Sequence, residues 1–367
     1  MMADDVPIAD VASRRQFLLA SGAAGTVLMA GCLSSGGSDS GGNNTNTENS
    51  GNNNQKTSGT LKAGGSSTVY PITSKSASYW NANRPAKDKE YWGPKQYGID
   101  TDLPLADYWA SLYFDVEKGG SAPFQVTVGL SHSGTGVTRL MKEQIDIGDS
   151  SAPVKAELPD RDSYENFTDH VVGVDGQPIV VSREIYKAGI TKISLKELKG
   201  IYKGTIKNWS ELGGPDKAIQ CLGRVKESGT ATSFRTNVFG DTDVKLPGID
   251  ARQGTNQKLS SAIASSDNAI SYLALSFVKP DGPVPPIGLS VNGKLYKYGK
   301  NLGAKEYPLS RDLHCYTWKG TSKQEAAFLR MIISDFGQKN FVVPENYFKL
   351  PKDRQKKQLD KLPDPAK

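Results

Sequence analysis

The sequence predicts an α/β fold, because short runs rich in β-branched residues alternate with stretches of helical spacing from Gly59 onward. The alternation favours largely parallel sheets, since two parallel strands need a connection long enough to hold a helix. No repeat of solenoid period is visible in the sequence. The 367 residues leave room for two domains of ordinary size.

The predicted elements follow one another along the chain. Strands are expected at 60–65, 122–130, 170–182, 218–225 and 313–318, and a short strand followed by a loop at 145–154. Helices are expected at 66–80 and 325–342, a turn leading into a helix at 131–144, a helix followed by a turn at 194–212, and a helix leading into a strand at 257–278. The segment 80–120 is rich in Trp, Tyr, Pro and Lys, and is predicted to extend the first helix into a long surface loop.

The N-terminal residues 1–32 are predicted to be a twin-arginine signal with a lipobox. The string at 13–18, Ser-Arg-Arg-Gln-Phe-Leu, fits the export pattern, and the apolar run that follows is too short for a comfortable membrane span. The run ends in Met-Ala-Gly-Cys at 29–32, which is typical of a lipoprotein processing site. Cys32 is therefore the expected lipidation site; an uncleaved anchor or a cut elsewhere is the alternative.

Residues 33–58 are predicted to be a flexible tether, because Leu33 is their one apolar side chain. Together with a diacylated Cys32, this predicts a protein exported by the twin-arginine route. It would be lipid-anchored on the outer side of the cytoplasmic membrane.

The composition argues against several function classes. The formal charge of +6 is modest and the lysines are scattered, which indicates a solvated basic surface rather than a nucleic-acid groove. The three histidines, His132, His170 and His314, lack metal-ligand spacing, and no Walker pattern occurs. We expect no enzymatic activity, no cofactor, no metal and no nucleic-acid partner.

Three hydroxyl-glycine turns stand out between predicted strands and helices. They lie at 64–68 (Gly-Gly-Ser-Ser-Thr), 131–136 (Ser-His-Ser-Gly-Thr-Gly) and 228–230 (Ser-Gly-Thr). A helix N-terminus offers unpaired N–H groups and a partial positive charge, and hydroxyls add donors. Arg224, four residues before the third turn, adds a fork of N–H donors. Together they predict one site for a tetrahedral oxyanion.

The chain resembles a known family over most of its length. The segments "GGSSTVYPIT", "SGTGVTRL", "IDIGDSSAPV", "VVGVDGQPIVV", "SLKELKGIYKGTIKNWSEL", "RVKESGTATSF", "NAISYLALSFV" and "YPLSRDLHCYTW" occur in the order seen in periplasmic phosphate-binding proteins. These are the substrate-binding lipoproteins of the phosphate-specific ABC importer. The similarity runs from about Leu61 to about Leu350, apart from the insertion at 80–120.

The resemblance implies a two-lobed periplasmic-binding-protein clamp of type II-like form, whose lobes are joined by crossing strands near 173–181 and 307–313. Residues 59–178 plus 308–367 would form lobe 1, and residues 179–307 lobe 2. The implied partners are inorganic phosphate, ABC permease subunits and a separate ATPase, and the protein would be a monomer. Cys221 and Cys315 would lie in different lobes, where a bond would resist opening, so we expect free thiols.

The resemblance also implies the ligand contacts. They would come from the three turns, from Arg224 and from one further loop, namely Ser67, Thr68, Val69 through its backbone N–H, Ser133, Ser151, Arg224, Ser228, Gly229 and Thr230.

One position departs from the family pattern. Many members carry an aspartate where this chain has Ser151, and that carboxylate accepts the proton of hydrogen phosphate and disfavours sulfate. Asp149 and Asp175 are candidates to replace it as proton acceptor, while Asp149 as a mere turn residue is the alternative. Glu227 stands where a glycine is usual and brings a negative charge near the anion, unless it points outward or bonds a donor.

Other functions remain open at this point. The missing aspartate is compatible with a protein that binds sulfate, molybdate or tungstate. A phosphate sensor or attachment protein without a transporter would carry the same motifs. A Ser–His enzyme is disfavoured because His132 and Ser133 are adjacent, so their side chains point apart.

Overall fold

The computed structural model describes residues 59–116 and 119–366. The predicted signal, Cys32 and the tether lie outside the described residues. Two mixed sheets with helices packed on them organise this part of the chain.

The first sheet has five strands in the order β2-β1-β3-β12-β4. They are β1 (Thr60–Ser66), β2 (Gln125–Ser131), β3 (Ile147–Ser150), β4 (Phe167–Gly176) and β12 (Ser310–Trp318). Strand β1 runs parallel to β2 and β3, whereas β12 runs antiparallel to β3 and β4. The last strand, β12, therefore belongs to the same sheet as the first four strands.

The second sheet has seven strands, in the order β11-β10-β5-β9-β7-β8 with β6 paired to β10. They are β5 (Ile179–Val181), β6 (Lys192–Ser194), β7 (Gln220–Arg224), β8 (Ala251–Gln253), β9 (Ala269–Tyr272), β10 (Pro286–Val291) and β11 (Lys294–Tyr296). Strand β7 is parallel to β8 and β9, while β5 is antiparallel to both of its neighbours.

The expectation of largely parallel sheets holds only for part of each sheet. The chain passes from β4 in the first sheet to β5 in the second through residues 177 and 178. Strands that enter or leave a sheet in this way have no crossover helix to return them in the parallel sense. They pair antiparallel with their neighbours instead.

The α-helices are α1 (Tyr70–Ala82), α2 (Leu105–Ser111), α3 (Ser133–Met141), α4 (Val154–Glu157), α5 (Arg183–Lys187), α6 (Leu195–Lys203), α7 (Gly229–Phe239), α8 (Asn256–Ala264), α9 (Lys323–Ile333), α10 (Asp335–Gly337) and α11 (Lys352–Leu359). Several helix starts are encoded locally. Ser194 caps α6 in a capping box with Glu197, and Ser322 caps α9 in the same way with Glu325.

The segment after α1 is not the surface loop that the sequence predicts. Helix α1 ends at Ala82, where Asn83 adopts a left-handed conformation (φ 40°) and closes the last turn with its backbone N–H. Trp92 and Trp109 are buried, and the Trp92 ring meets the Phe336 ring edge-on at 4.9 Å. The aromatic residues of this insertion therefore extend the core.

Both cysteines of the described chain are free and buried, Cys221 on β7 and Cys315 on β12. The expectation of free thiols is confirmed. Within the described residues, no helix combines the length and apolarity needed to cross a membrane.

Candidate functional site

The three hydroxyl-glycine segments meet at one place. The first spans the end of β1 and leads into α1, the second spans the end of β2 and the start of α3, and the third spans the start of α7. Thr68 Oγ1 and Thr230 Oγ1 lie 3.0 Å apart, although they belong to the first and third turns. One hydrogen bond thus joins two residues that are 162 positions apart in the sequence.

The second turn joins the same cluster through serine hydroxyls. The Ser151 backbone N–H donates to Ser133 Oγ at 3.2 Å, and the two side-chain oxygens are 3.4 Å apart. Ser66 Oγ donates to Ser151 Oγ at 3.0 Å. All of these serines are buried, so the cluster is a connected network shielded from water.

The N-termini of α3 and α7 open onto this network. Helix α3 begins at Ser133 and α7 begins at Gly229, so the first N–H groups of both helices have no partner within their own helix. The buried Ser228 hydroxyl makes no capping bond to α7. Val69, also buried, is the cap residue of α1 without a side-chain bond.

Arg224 brings a buried cation to the network. Its Nε donates to the Gln253 carbonyl at 3.1 Å, and its Nη2 donates to the Gly254 carbonyl at 2.7 Å and to Ser67 Oγ at 3.3 Å. The buried Nη1 has no hydrogen-bond partner within residues 59–116 and 119–366. Burial lowers the pKa of this guanidinium to about 10, so it remains charged at neutral pH.

Arg311 is a second buried cation that sequence reasoning missed. It lies on β12 directly opposite Asp175 on β4 and forms a two-nitrogen ion pair with that carboxylate at 2.7 and 3.0 Å. Its Nη1 donates to the carbonyls of Ser151 (3.1 Å) and Gly229 (3.2 Å). The "YPLSRDL" motif contains this arginine, so the motif could have pointed to it.

Asn256, the first residue of α8, is a further buried contact that the sequence did not reveal. Its Nδ2 donates to Ser67 Oγ at 3.2 Å and to Thr68 Oγ1 at 3.1 Å. Gln177, between β4 and β5, donates from Nε2 to the Thr230 carbonyl at 3.1 Å. An isolated amide side chain carries no motif, and we find no sequence signal for either residue.

The two candidate proton acceptors sit differently. Asp149 accepts from Thr73 Oγ1 (2.8 Å) and from Cys315 Sγ (3.4 Å), and burial raises its pKa to about 7. Burial also raises the pKa of Asp175, an effect that the Arg311 guanidinium opposes. Both Asp175 oxygens are engaged too, Oδ1 by the Leu275 backbone N–H and Oδ2 by Arg311, so Asp175 reaches the network only through Arg311.

The remaining ionisable groups leave the site positively charged. Glu227 is exposed to solvent. Arg224 and Arg311 both donate to hydroxyls of the network, and Asp175 pairs with Arg311, whereas Arg224 pairs with no carboxylate in the described residues, which fits the binding of an anion. Burial lowers the pKa of His132, which lies beside Ser133. No cluster of three or more metal-ligating side chains occurs in the described part of the chain.

Comparison with known proteins places this geometry in a family. The family model described as a PBP superfamily domain matches residues 101–335. The phosphate-binding protein PstS of Bacillus subtilis (strain 168) is 32% identical over 232 residues, which cover 63% of this chain and 73% of that protein. The protein of the same name from Staphylococcus aureus (strain USA300) is 24% identical over 268 residues, 70% of this chain and 77% of that protein.

Solved structures share the architecture. A phosphate ABC transporter substrate-binding protein from Clostridium perfringens, solved with bound phosphate, superposes with a TM-score of 0.60 at 20% identity, over 80% of this chain and 100% of that one. An ABC-type phosphate transport receptor from Vibrio cholerae gives a TM-score of 0.53 at 21% identity, over 79% and 100%. These likenesses confirm the predicted α/β fold of a two-lobed periplasmic-binding-protein clamp.

Proposed function

The chain belongs to the PBP superfamily and, within it, to the phosphate-binding proteins, and on this premise we propose that it captures inorganic phosphate and delivers it to an ABC permease. It acts outside the cytoplasm as the substrate-binding component of the importer. The relatives are binding proteins rather than enzymes. The energy for transport comes from a separate ATPase subunit.

The observation that carries this proposal is the buried Arg224 guanidinium with an unpaired Nη1, set among hydroxyls from both sheets. A buried donor without a partner costs about 1–3 kcal/mol, more when it is charged. An anion that accepts from this donor removes that cost. A tetrahedral oxyanion has enough oxygens to accept from several turns at once.

The proposed ligand set is the one implied by the family resemblance, from the three turns, Arg224 and the loop after β3: Ser67, Thr68, Val69, Ser133, Ser151, Arg224, Ser228, Gly229 and Thr230. Asp149 and Asp175 are the proposed candidates for the proton of hydrogen phosphate. Asp175 is linked to the hydroxyl network through Arg311, whereas Asp149 bonds Thr73 and Cys315.

Binding is proposed to close the clamp. The strand membership of the sheets supports lobes of residues 59–178 plus 308–367 and of 179–307, since β1 to β4 and β12 share one sheet and β5 to β11 the other. Phosphate contacts groups on both lobes and therefore favours the form in which they are together. The closed form then docks on the permease as a monomer.

The N-terminal signals complete the proposal. Export by the twin-arginine route and lipidation at Cys32 hold the protein on the outer side of the cytoplasmic membrane. Replacing Cys32 with alanine is expected to release the mature protein from the membrane fraction. Retention of the Cys32→Ala protein in membranes would contradict lipid anchoring at this residue.

Calorimetric titration of the full chain with phosphate near neutral pH tests the main proposal. We expect saturable binding with a dissociation constant of about 1 μM or below, equivalent to roughly 8 kcal/mol. Sulfate and molybdate serve as competitors. Tight binding of another oxyanion without phosphate binding would overturn the assignment of phosphate as the ligand. Absence of any anion binding would overturn the proposed function.

A further inference from the structure

The Asn256 amide bridges two hydroxyls that belong to the first turn. Its Nδ2 carries two hydrogens, and these are directed at Ser67 Oγ (3.2 Å) and Thr68 Oγ1 (3.1 Å). The orientation of the amide is set by its other end, because the Ala274 backbone N–H, which can only donate, faces Oδ1 at 3.4 Å. Asn256 is fully buried, so water does not compete for these bonds.

Ser67 is left with one way to use its hydroxyl. A serine oxygen accepts two hydrogen bonds and donates one. Ser67 Oγ receives one bond from Asn256 Nδ2 and one from Arg224 Nη2 at 3.3 Å. Both acceptor positions are filled by groups that cannot accept in return, so the Ser67 hydrogen is free to donate only in a third direction.

Thr68 is held by the same amide, but the direction of its own bond is not fixed in this way. Its Oγ1 receives a bond from Asn256 Nδ2 and lies 3.0 Å from Thr230 Oγ1, where either hydroxyl can be the donor. Arg311 Nη2 lies 3.3 Å from both threonine oxygens, but one of its two hydrogens is donated to Asp175, so one hydrogen is left for the two threonines. The hydroxyl whose donor direction Asn256 sets is therefore that of Ser67.

We propose that Asn256 is a positioning residue that holds the Ser67 hydroxyl as a donor to the bound oxyanion. By filling one acceptor position of Ser67 Oγ while Arg224 fills the other, it directs the Ser67 hydrogen toward an oxygen of the ligand. The inference rests on the proposed function, because it assigns a role within the same anion site.

An Asn256→Asp variant of the full chain reverses the polarity with almost no change in shape. An aspartate can still accept from the Ala274 N–H, but its other oxygen accepts from the Ser67 hydroxyl and turns the Ser67 hydrogen away from the ligand. We expect phosphate affinity at pH 8 to fall by at least about tenfold, because one donor to a charged group is lost. Asn166→Asp, which adds the same charge at an exposed turn, should change affinity less than twofold.

A double-mutant cycle with Ser67→Ala separates positioning from charge repulsion. If Asn256 acts through Ser67, the loss caused by Asn256→Asp is about tenfold smaller in the Ser67→Ala background, because that donor is already absent. Charge repulsion alone gives the same loss in both backgrounds. Equal losses, or no loss in Asn256→Asp, would overturn the inference.

Two further measurements keep the test decisive. Should circular dichroism show that the Asn256→Asp protein is unfolded, the same cycle with Asn256→Ala replaces it, and we expect coupling to Ser67→Ala of the same sign. The unmodified chain is titrated with phosphate in parallel. Its failure to bind phosphate would overturn the proposed function itself, whereas binding with an additive cycle overturns only the role of Asn256.

Discussion

Gly229 is the position at which a single methyl group should disturb the proposed ligand site most directly. A Cβ added there would lie 2.2 Å from Ser133 Oγ, 2.8 Å from Ser133 Cβ and 2.8 Å from Ser151 Oγ. Turning the Ser133 hydroxyl away relieves the first contact but breaks its bond from the Ser151 N–H. The Cβ contact cannot be relieved by a side-chain rotation, so the start of α7 must move away from the start of α3.

The size of the expected loss in affinity follows from the hydrogen bond to the ligand that this movement removes. One hydrogen bond to a charged ligand contributes about 1.5–3 kcal/mol, which corresponds to roughly ten- to a hundredfold in affinity. We therefore expect Gly229→Ala to weaken phosphate binding by at least tenfold. Thermal stability should fall as well, because Gly229 and Ser133 are both buried and overpacking of this kind costs about 1–3 kcal/mol.

Calorimetry and thermal unfolding of the same protein preparation provide the assay. Gly254→Ala is the matched control, since a Cβ at Gly254 in the same region meets only His132 Cε1, at an ordinary 3.8 Å. The control should bind within about twofold of the unmodified chain. Undiminished affinity of Gly229→Ala would refute the reasoning that the two helix starts must approach this closely.

Three further predictions concern buried groups. Asp175→Asn should lower the free energy of unfolding in urea by about 3 kcal/mol, because it leaves the Arg311 guanidinium without its counter-charge; a loss below about 1 kcal/mol would contradict this. Asp149 keeps its proton to about pH 7 in the folded chain, whereas in the unfolded chain it loses the proton near pH 4. Its contribution to the free energy of unfolding therefore falls by up to about 4 kcal/mol as pH rises from 4 to 8, and Asp149→Asn should remove that fall. If the free energy of unfolding in urea differs between pH 4 and pH 8 by the same amount in Asp149→Asn as in the unmodified chain, this prediction is wrong. Trp92→Ala should cost about 3–5 kcal/mol of stability yet leave phosphate affinity unchanged, and weakened binding would show that the insertion supports the site.

The sequence predicted those parts of the site that can be recognised from a short stretch of residues. Hydroxyl and glycine residues between a strand and a helix mark a turn with free N–H groups. The strand predicted at 60–65 and the observed β1 (Thr60–Ser66) nearly coincide. The turns at Ser133 and Gly229 likewise begin helices α3 and α7.

Pairings between residues far apart in the chain could not be predicted, because no short stretch of sequence carries a signal for them. Arg311 contacts Thr68 across 243 residues of chain, and only the antiparallel pairing of β12 with β4 brings Arg311 opposite Asp175. Trp92 appeared to lie in a surface loop because its partner Phe336 is distant in sequence. In each case the physical cause is tertiary packing, which short windows of sequence do not contain.

The Arg311–Asp175 pair also bears on the speed of capture. Both partners belong to strands of the first sheet, so the pair persists whatever angle the second sheet adopts. Because Asp175 balances the charge of Arg311, the net positive charge that an arriving anion meets is that of Arg224, whose guanidinium pairs with no carboxylate within the described residues. Association should therefore respond to ionic strength, whereas the residence time should depend on the hydroxyl network and on Asn256.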